Sequence, residues 1–175
     1  MPATAAISTS PQILAEQAAD AEAVDALVLA AFGPGRFAKT AERLRENARQ
    51  VRGFTAWDGE RLIGSVRLWS VTVGATPAWF LGPIAVDEAS RMSGLGAALV
   101  AACVEAAQAA GVPGVILIGD PPYFARFGFE PAPQARLPGP ADPRRVMWLA
   151  VDAPVPSGDI LPNSLTELFV RGRDA

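Results

Sequence analysis

Histidine is absent from the 175-residue sequence, and cysteine occurs once, as Cys103. The absence of histidine removes imidazole metal sites and every catalytic triad that uses histidine as its base. We therefore expect the protein to bind no metal. A lone cysteine cannot form an internal disulfide, and Cys103 lies among alanines, where a small buried residue is expected. These absences exclude catalysis by a histidine-activated nucleophile.

Positive charge and long apolar runs are also scarce. The formal net charge is -3, so electrostatics give no reason to expect nucleic acid as a partner. No apolar run is long enough to cross a bilayer, so we expect no membrane partner. Residues 1–12 contain neither the basic nor the apolar region of a secretory signal, which predicts a cytoplasmic location.

The length and the apolar content predict one folded domain. Half of the residues are hydrophobic, which is too many for a disordered chain and enough for a core without disulfide or metal staples. No long linker or internal repeat divides the sequence. We therefore predict a single domain over residues 1–175, with a core at about 12–152 and a C-terminal tail at 153–175. The mean hydropathy of +0.23 leaves room for a homodimer.

Periodicity in the first half predicts a short strand, two helices and a hairpin. The strand covers residues 13–15, and the helices cover residues 20–32, with Asp20 as the N-cap, and 39–49. The hairpin pairs residues 54–57 with 61–69 around an Asp-Gly turn.

The second half predicts a strand, a glycine-rich turn, a helix and another strand. Residues 79–86 are apolar throughout, as in a central strand covered on both faces, but Gly82 and Pro83 should break or splay it. A helix at 97–110 and a strand at 115–118 complete a βαβ unit.

The remaining segments are shorter. A helical turn is expected from residue 123 until Gly128 stops it, after a break at Pro121 and Pro122. A strand is predicted at 146–151, a loop at 153–159, and a short helix or edge strand at 164–171.

The turn has the spacing Arg91-x-x-Gly94-x-Gly96 and opens a helix. Backbone N–H groups and the helix dipole at such a turn favour an anion, and glycines let a diphosphate approach closely. Tight packing alone is the alternative explanation. A dinucleotide-binding turn would need a third glycine where Leu99 stands, and a P-loop would need lysine where Ala97 stands.

The turn and the strand before it resemble the acyl-CoA motif of the GNAT acyltransferase superfamily. The resemblance lies in residues 81–86, Leu-Gly-Pro-Ile-Ala-Val, and in residues 91–99, Arg-Met-Ser-Gly-Leu-Gly-Ala-Ala-Leu. Residues 119–129 resemble the tyrosine-containing helix and the Gly-Phe ending of the same superfamily, especially of a little-characterised bacterial subfamily. The resemblance implies a mixed α/β fold whose central, mostly antiparallel sheet contains a splayed strand and is flanked by helices.

The same resemblance implies that acetyl-CoA is the acyl donor. Ile84 and Val86 would offer backbone hydrogen bonds to its pantetheine arm, with Ala85 between them, and Phe124 would also contact the donor. Seven residues of the turn would hold the pyrophosphate: Arg91, Met92, Ser93, Gly94, Leu95, Gly96 and Ala97.

The implied activity is N-acetyl transfer by direct attack of a primary amine on the thioester. The acceptor would be a small molecule, a peptide or a protein. The superfamily's usual general-acid tyrosine is Phe124 here, so the neighbouring Tyr123 is the candidate acid, with aromatic packing as its alternative role. Water could also protonate the thiolate. Glu88 and Asp120 are the nearest acids in sequence for the base, although both also suit solvated turns.

Arginines around the second helix would, by the same resemblance, lie near the acceptor, although a solvated helix face is the simpler interpretation. They are Arg43, Arg45, Arg49 and Arg52. Two other functions remain open. A non-catalytic acyl-CoA-binding or regulatory module would keep the turn and lack the acid at Phe124. An interaction domain would use its apolar excess at a subunit interface.

Overall fold

The computed structural model describes residues 10–163. The segment predicted at 164–171 lies outside these residues. Four α-helices occur within them: α1 Ala21–Phe32, α2 Thr40–Glu46, α3 Leu95–Ala110 and α4 Pro121–Ala125. The strands there are β1 Gln12–Ala15, β2 Gln50–Asp58, β3 Arg61–Val73, β4 Thr76–Val86, β5 Gly114–Ile118, β6 Glu130–Pro131, β7 Ala135–Arg136, β8 Val146–Ala150 and β9 Gly158–Pro162.

The strands form one mixed sheet in the order β1-β2-β3-β4-β5-β8-β6. All neighbours on this path are antiparallel except β4 and β5, which are parallel and joined through α3. The predicted hairpin, the βαβ unit and the mostly antiparallel sheet are thus confirmed. Helices α1 and α3 both pack on β3 and β4, which explains why β4 is apolar throughout.

Strand β4 bends at Gly82 and Pro83, as predicted. Its register with β3 pairs Ile84 with Val66 and Leu81 with Leu68, so β4 has one extra residue between these pairs. This is a β-bulge. Beyond Phe80, β4 no longer pairs with β5, because the parallel ladder contains only Trp79 with Val115 and Phe80 with Ile116. The two strands therefore separate and leave an opening between them.

The start of α1 agrees with the sequence prediction, whereas α2 ends at residue 46 instead of 49, α3 begins at residue 95 instead of 97, and α4 begins at residue 121 instead of 123. Asp20 is the N-cap residue of α1, as predicted, but its carboxylate accepts a hydrogen bond from the Gln17 N–H at 2.7 Å and makes no capping bond to α1. Helix α4 begins at Pro121, because proline fits the first turn of a helix, where no intrahelical N–H is needed. The predicted break is therefore the helix start.

The sheet continues beyond residue 152, where the sequence placed the end of the core. Strand β9 lies in the segment predicted as loop and tail, and it pairs antiparallel with the far end of β3. Ile160 of β9 is fully buried. The short β7 was not predicted either, and it pairs with β9. Both strands depend on partners distant in sequence, which local patterns do not reveal.

Within residues 10–163, no helix is both long and apolar enough to span a membrane. The same residues contain no group of three or more histidine, cysteine, aspartate or glutamate side chains that could hold a metal ion.

Candidate functional site

Two adjoining cavities occupy the opening between β4 and β5. The first, of about 470 Å³, lies at the start of α3 and is called the turn cavity; it is lined by Arg91, Gly94, Gly96 and Tyr123, among others. The second, of about 340 Å³, is called the splay cavity and lies between residues 81–84 of β4 and residues 117–120, at the end of β5 and just after it. Phe32 and Ile84 line both cavities, so the two cavities are neighbours, and together they are called the cleft.

The glycine turn presents free backbone donors to the turn cavity. Gly94 is the N-cap of α3 and has a φ of +79°, a conformation that favours glycine. The first hydrogen bond of the helix runs from the Ala98 N–H to the Gly94 carbonyl, at 3.1 Å. The N–H groups of Leu95, Gly96 and Ala97 have no backbone acceptor among the described residues, as is usual for a first turn. With the helix dipole, they favour an anion.

The predicted donor-binding residues divide into two groups. Six of them line the turn cavity together: Ile84, Val86, Arg91, Gly94, Gly96 and Ala97. Ala85 and Leu95 instead point their side chains into the core, with exposed fractions of 1% and 5%. Met92 is 99% exposed, and the Ser93 hydroxyl donates to the Ser90 carbonyl. These last four could therefore contribute only through their backbones or at the rim.

Tyr123 and Phe124 face different cavities. The Tyr123 hydroxyl borders the turn cavity, where a Cβ atom built on Gly96 would lie 3.3 Å from it. The guanidinium carbon of Arg126 lies 4.5 Å from the centre of the Tyr123 ring. Phe124 lines the splay cavity, and its ring packs against Gly119. Neighbouring residues on a helix diverge by about 100°, which separates these two side chains.

The bulge exposes the backbone of β4 in the cleft. Residues 81–86 have no partner strand on the β5 side within the described part of the chain. Trp69 lies on the adjacent strand β3, and its indole N–H donates to the Gly82 carbonyl at 2.6 Å. This hydrogen bond holds the bulge in place. The free edge of β4 can therefore offer hydrogen bonds to an extended ligand lying along it.

A buried cluster of charges borders the splay cavity. Glu42 accepts from Arg36 at 2.7 Å and from Arg45 at 3.1 Å. Glu42 is only 8% exposed. Burial lowers the pKa of Arg45 to about 10, an effect that the Glu42 carboxylate opposes, so Arg45 stays charged at neutral pH. Arg45 also lies over the Phe80 ring, 5.2 Å from its centre.

The interpretation of the arginines as a solvated helix face is wrong for Arg45. The other three, Arg43, Arg49 and Arg52, are exposed as that interpretation requires, whereas the Arg45 side chain is only 14% exposed. Arg36 and Glu42 were not singled out by the sequence at all. The one available signal is the (i, i+3) spacing of Glu42 and Arg45, which is just as common on solvated helices.

Of the two predicted acids and the single cysteine, only one acid lines the cleft. Asp120 follows β5 and lines the splay cavity. Glu88 is exposed in a 3-10 turn, and it lines neither the turn cavity nor the splay cavity. Cys103 is fully buried inside α3, and burial raises the pKa of its thiol. Asp120 is therefore the better placed of the two predicted acids, and Cys103 lies away from the cleft.

Comparison with known proteins gives consistent matches. The model of the Acetyltransferase (GNAT) family matches residues 21–129. The chain is 36% identical over 141 residues to the Uncharacterized N-acetyltransferase YhbS of Escherichia coli (strain K12), covering 77% of this chain and 84% of that protein. The crystal structure of Escherichia coli YhbS in complex with CoA superposes with a TM-score of 0.75 and 28% identity, covering 87% of this chain and 89% of that chain. A GNAT family acetyltransferase from Brucella melitensis in complex with acetyl-CoA has a TM-score of 0.69 at 23% identity, with 88% and 96% covered, and matches in fold.

Proposed function

The chain belongs to the GNAT acetyltransferase family, and from this premise we propose that it transfers the acetyl group of acetyl-CoA to a primary amine by direct attack. The observation that carries the proposal is the pair of neighbouring cavities that make up the cleft. Strand β4 separates from β5 beyond Phe80 directly beside the glycine turn at Gly94 and Gly96. A donor and an acceptor can therefore meet in one cleft while entering from its two cavities.

The residues of the turn cavity fit the chemistry of acetyl-CoA. The free N–H groups at the start of α3 and the exposed Arg91 suit a diphosphate. The unpaired edge of β4 at Ile84 and Val86 suits the amide groups of a pantetheine arm. The complexes of YhbS with CoA and of the Brucella melitensis protein with acetyl-CoA support this assignment. Acetyl-CoA would supply an activated thioester to the amine.

Asp120 is the proposed base that takes the proton from the attacking amine, directly or through water. It lines the splay cavity together with the β4 bulge, so it lies where an acceptor would be held. Glu42 lines the same cavity, but guanidinium groups of Arg36 and Arg45 occupy both of its carboxylate oxygens. An oxygen that already accepts from a buried cation is a poor proton acceptor.

Tyr123 is the proposed general acid for the departing thiolate, with water as the alternative. It is the only tyrosine in the sequence, and its hydroxyl borders the cleft at Gly96. Thiols ionise at about pH 8 to 9, so a thiolate can leave without strong acid assistance. A Tyr123→Phe variant with retained acetyl-CoA binding should lose about tenfold or more in kcat if Tyr123 is the acid. An unchanged kcat would assign the proton to water.

Calorimetric titration with acetyl-CoA tests the donor site. We expect micromolar binding by the native protein and a loss of about 100-fold or more for Gly96→Val, whose side chain would fill the approach to the turn. Gly96 is preferable to Gly94 for this test, because the positive φ of Gly94 strains any other residue. Ala98→Val is the matched control, since Ala98 is exposed and does not line the turn cavity.

Release of free CoA thiol in the presence of an amine panel then tests transfer. The second candidate, a non-catalytic acyl-CoA-binding module, is favoured by one observation: Phe124 occupies the family's usual acid position, 9% exposed, in the splay cavity. That module would bind acetyl-CoA and release no thiol with any amine. Failure of the native protein to bind acetyl-CoA would overturn both functions.

A further inference from the structure

The walls of the splay cavity carry more positive than negative charge. The cations that line it are Arg36, Lys39, Arg45 and Arg145. The carboxylates that line it are Glu42 and Asp120. The whole chain has a net charge of -3, so this local surplus is opposite in sign to the protein as a whole. A cavity with this balance favours an anionic ligand.

Arg45 has an unused donor at the wall of this cavity. Its Nη1 donates to Glu42, but its Nε is buried and has no hydrogen-bond partner among residues 10–163. Its Nη2 lies at the β4 bulge, 2.9 Å from a Cβ atom built on Gly82. Buried N–H groups of charged side chains are normally paired, because leaving one unpaired is unfavourable. No ligand can reach the buried Nε, whereas Nη2 is not buried and makes no hydrogen bond within residues 10–163, so Nη2 is the donor that a ligand in the cavity can meet.

Arg67 shows how a guanidinium is saturated in the same protein. It lies on the neighbouring strand β3 and donates to Glu16 through both Nε and Nη2, and to Asp25 through Nη1. Each of its three nitrogen atoms therefore donates to a carboxylate oxygen. Arg45 shares a cavity of about 410 Å³ with Arg67, yet its Nε edge meets none.

We propose that Arg45 binds a carboxylate of the acceptor, so that the acceptor is a small amine that also carries a carboxylate, as amino acids do. This inference rests on the proposed function of the same cleft. A carboxylate matches the planar guanidinium, which can donate two parallel hydrogen bonds. The zwitterion of an amino acid would then place its negative group at Arg45, beside β4, and its amine toward Asp120, beyond β5.

Matched pairs of amines test the inference. Thiol release from acetyl-CoA is measured with free amino acids and with their carboxamides, which differ only in the negative charge. For the native protein we expect kcat/KM at least about tenfold higher for the acids. Arg45→Met should lower kcat/KM for the acids by about 10- to 100-fold, mainly through KM, and should change the value for the amides by less than about threefold.

Two further variants keep the result interpretable. Arg43→Met removes an exposed arginine from the same helix, and it should preserve the preference for acids. Arg45→Lys keeps the charge but lacks the Nε donor and the planar fork, and it should lose part of the preference. If Arg45→Met does not fold, the Arg45→Lys variant tests the inference in its place. An Arg45→Lys variant that prefers acids over amides as strongly as the native protein would overturn the inference.

Acetyl-CoA calorimetry on each variant separates this inference from the proposed function. If the native protein binds acetyl-CoA but acetylates acids and amides equally, or acetylates no amino carboxylate, the inference is overturned and the donor site stands. If the native protein does not bind acetyl-CoA, the proposed function is overturned, and the inference falls with it. If Arg45→Met binds acetyl-CoA normally and loses the preference for acids, both stand.

Discussion

The turn cavity and the splay cavity adjoin each other, but they are built from different parts of the chain. The turn cavity offers backbone N–H groups at the start of α3 and the unpaired edge of β4. The splay cavity offers charged side chains from α2 and its surroundings, with Glu42 and Arg45 held in a buried ion pair. The comparison indicates that the turn cavity, the proposed donor half, depends on main-chain geometry, whereas the splay cavity, the proposed acceptor half, depends on the choice of side chains.

The two halves also differ in how solvent affects their charges. Arg91 of the turn is exposed, so its attraction to a phosphate is screened by water and salt. Arg45 and Glu42 are largely buried, where charges interact more strongly but are costly to leave unpaired. Substitutions in the acceptor half should therefore change stability, whereas substitutions in the donor half should change mainly binding.

Glu42→Gln should give the largest effect on stability. It leaves Arg36 and Arg45 beside each other without the carboxylate that joins them, and we expect a loss of about 3 kcal/mol in the free energy of unfolding. Urea denaturation measures this. The Kd for acetyl-CoA should stay within about twofold, because the donor half uses backbone groups. Glu46→Gln, exposed at the end of the same helix, is the control; equal losses in both variants would contradict the comparison.

If water and not Tyr123 protonates the thiolate, Phe124→Tyr should raise kcat by about tenfold, because it places a hydroxyl acid at the splay cavity. The rate of thiol release at saturating substrate measures it. Phe127→Tyr adds the same hydroxyl to a ring that lines neither the turn cavity nor the splay cavity, and it should leave kcat unchanged. A gain in both variants, or in neither, would show that position 124 does not limit proton transfer.

Trp69→Phe should lower the free energy of unfolding by about 1 kcal/mol beyond its control, because the Gly82 carbonyl loses its indole donor. Trp79→Phe is the control: it removes the same ring volume from the adjacent strand β4, and the Trp79 indole donates to no described residue. Thermal and urea unfolding compare the two. Equal destabilisation would mean that the hydrogen bond to the bulge contributes nothing measurable.

Cys103→Ala should have the smallest effect, with kcat within about twofold of the native value. Cys103 is fully buried, and burial raises the pKa of its thiol, so the reactive thiolate is suppressed near neutral pH. Mass spectrometry after incubation with acetyl-CoA should find no acetyl group on Cys103. An acetylated Cys103, or a strong loss of kcat in the variant, would replace direct transfer with a covalent route.

Local patterns predicted the elements that local chemistry specifies. The Asp-Gly turn of the β2–β3 hairpin, the apolar β4 and the glycine turn before α3 all follow from short-range rules for turns, burial and capping. The strand β9 could not be predicted in this way, because its pairing with β3 joins residues about ninety positions apart. Its alternation is too short to distinguish it from a loop.

The candidate site likewise has one part that short-range sequence patterns predict and another that depends on tertiary packing. The glycine turn that lines the turn cavity could be predicted, because glycines before a helix specify a backbone geometry that few other sequences can supply. The burial of Arg45 was not predicted, because a charged residue on a short amphipathic helix normally faces water. Only the packing of α2 over β4 brings Arg45 beneath the surface and beside the bulge at Gly82.

The sequence by itself determined the glycine turn, the bulged apolar strand and the absence of a histidine base, since each follows from the chemistry of a few adjacent residues. The tertiary structure alone decided that Tyr123 and Phe124 face different cavities and that Asp120 and Arg45 line the same one. The physical reason is that a cavity is a property of surfaces from separate elements. Its shape and charge exist only once those elements have packed.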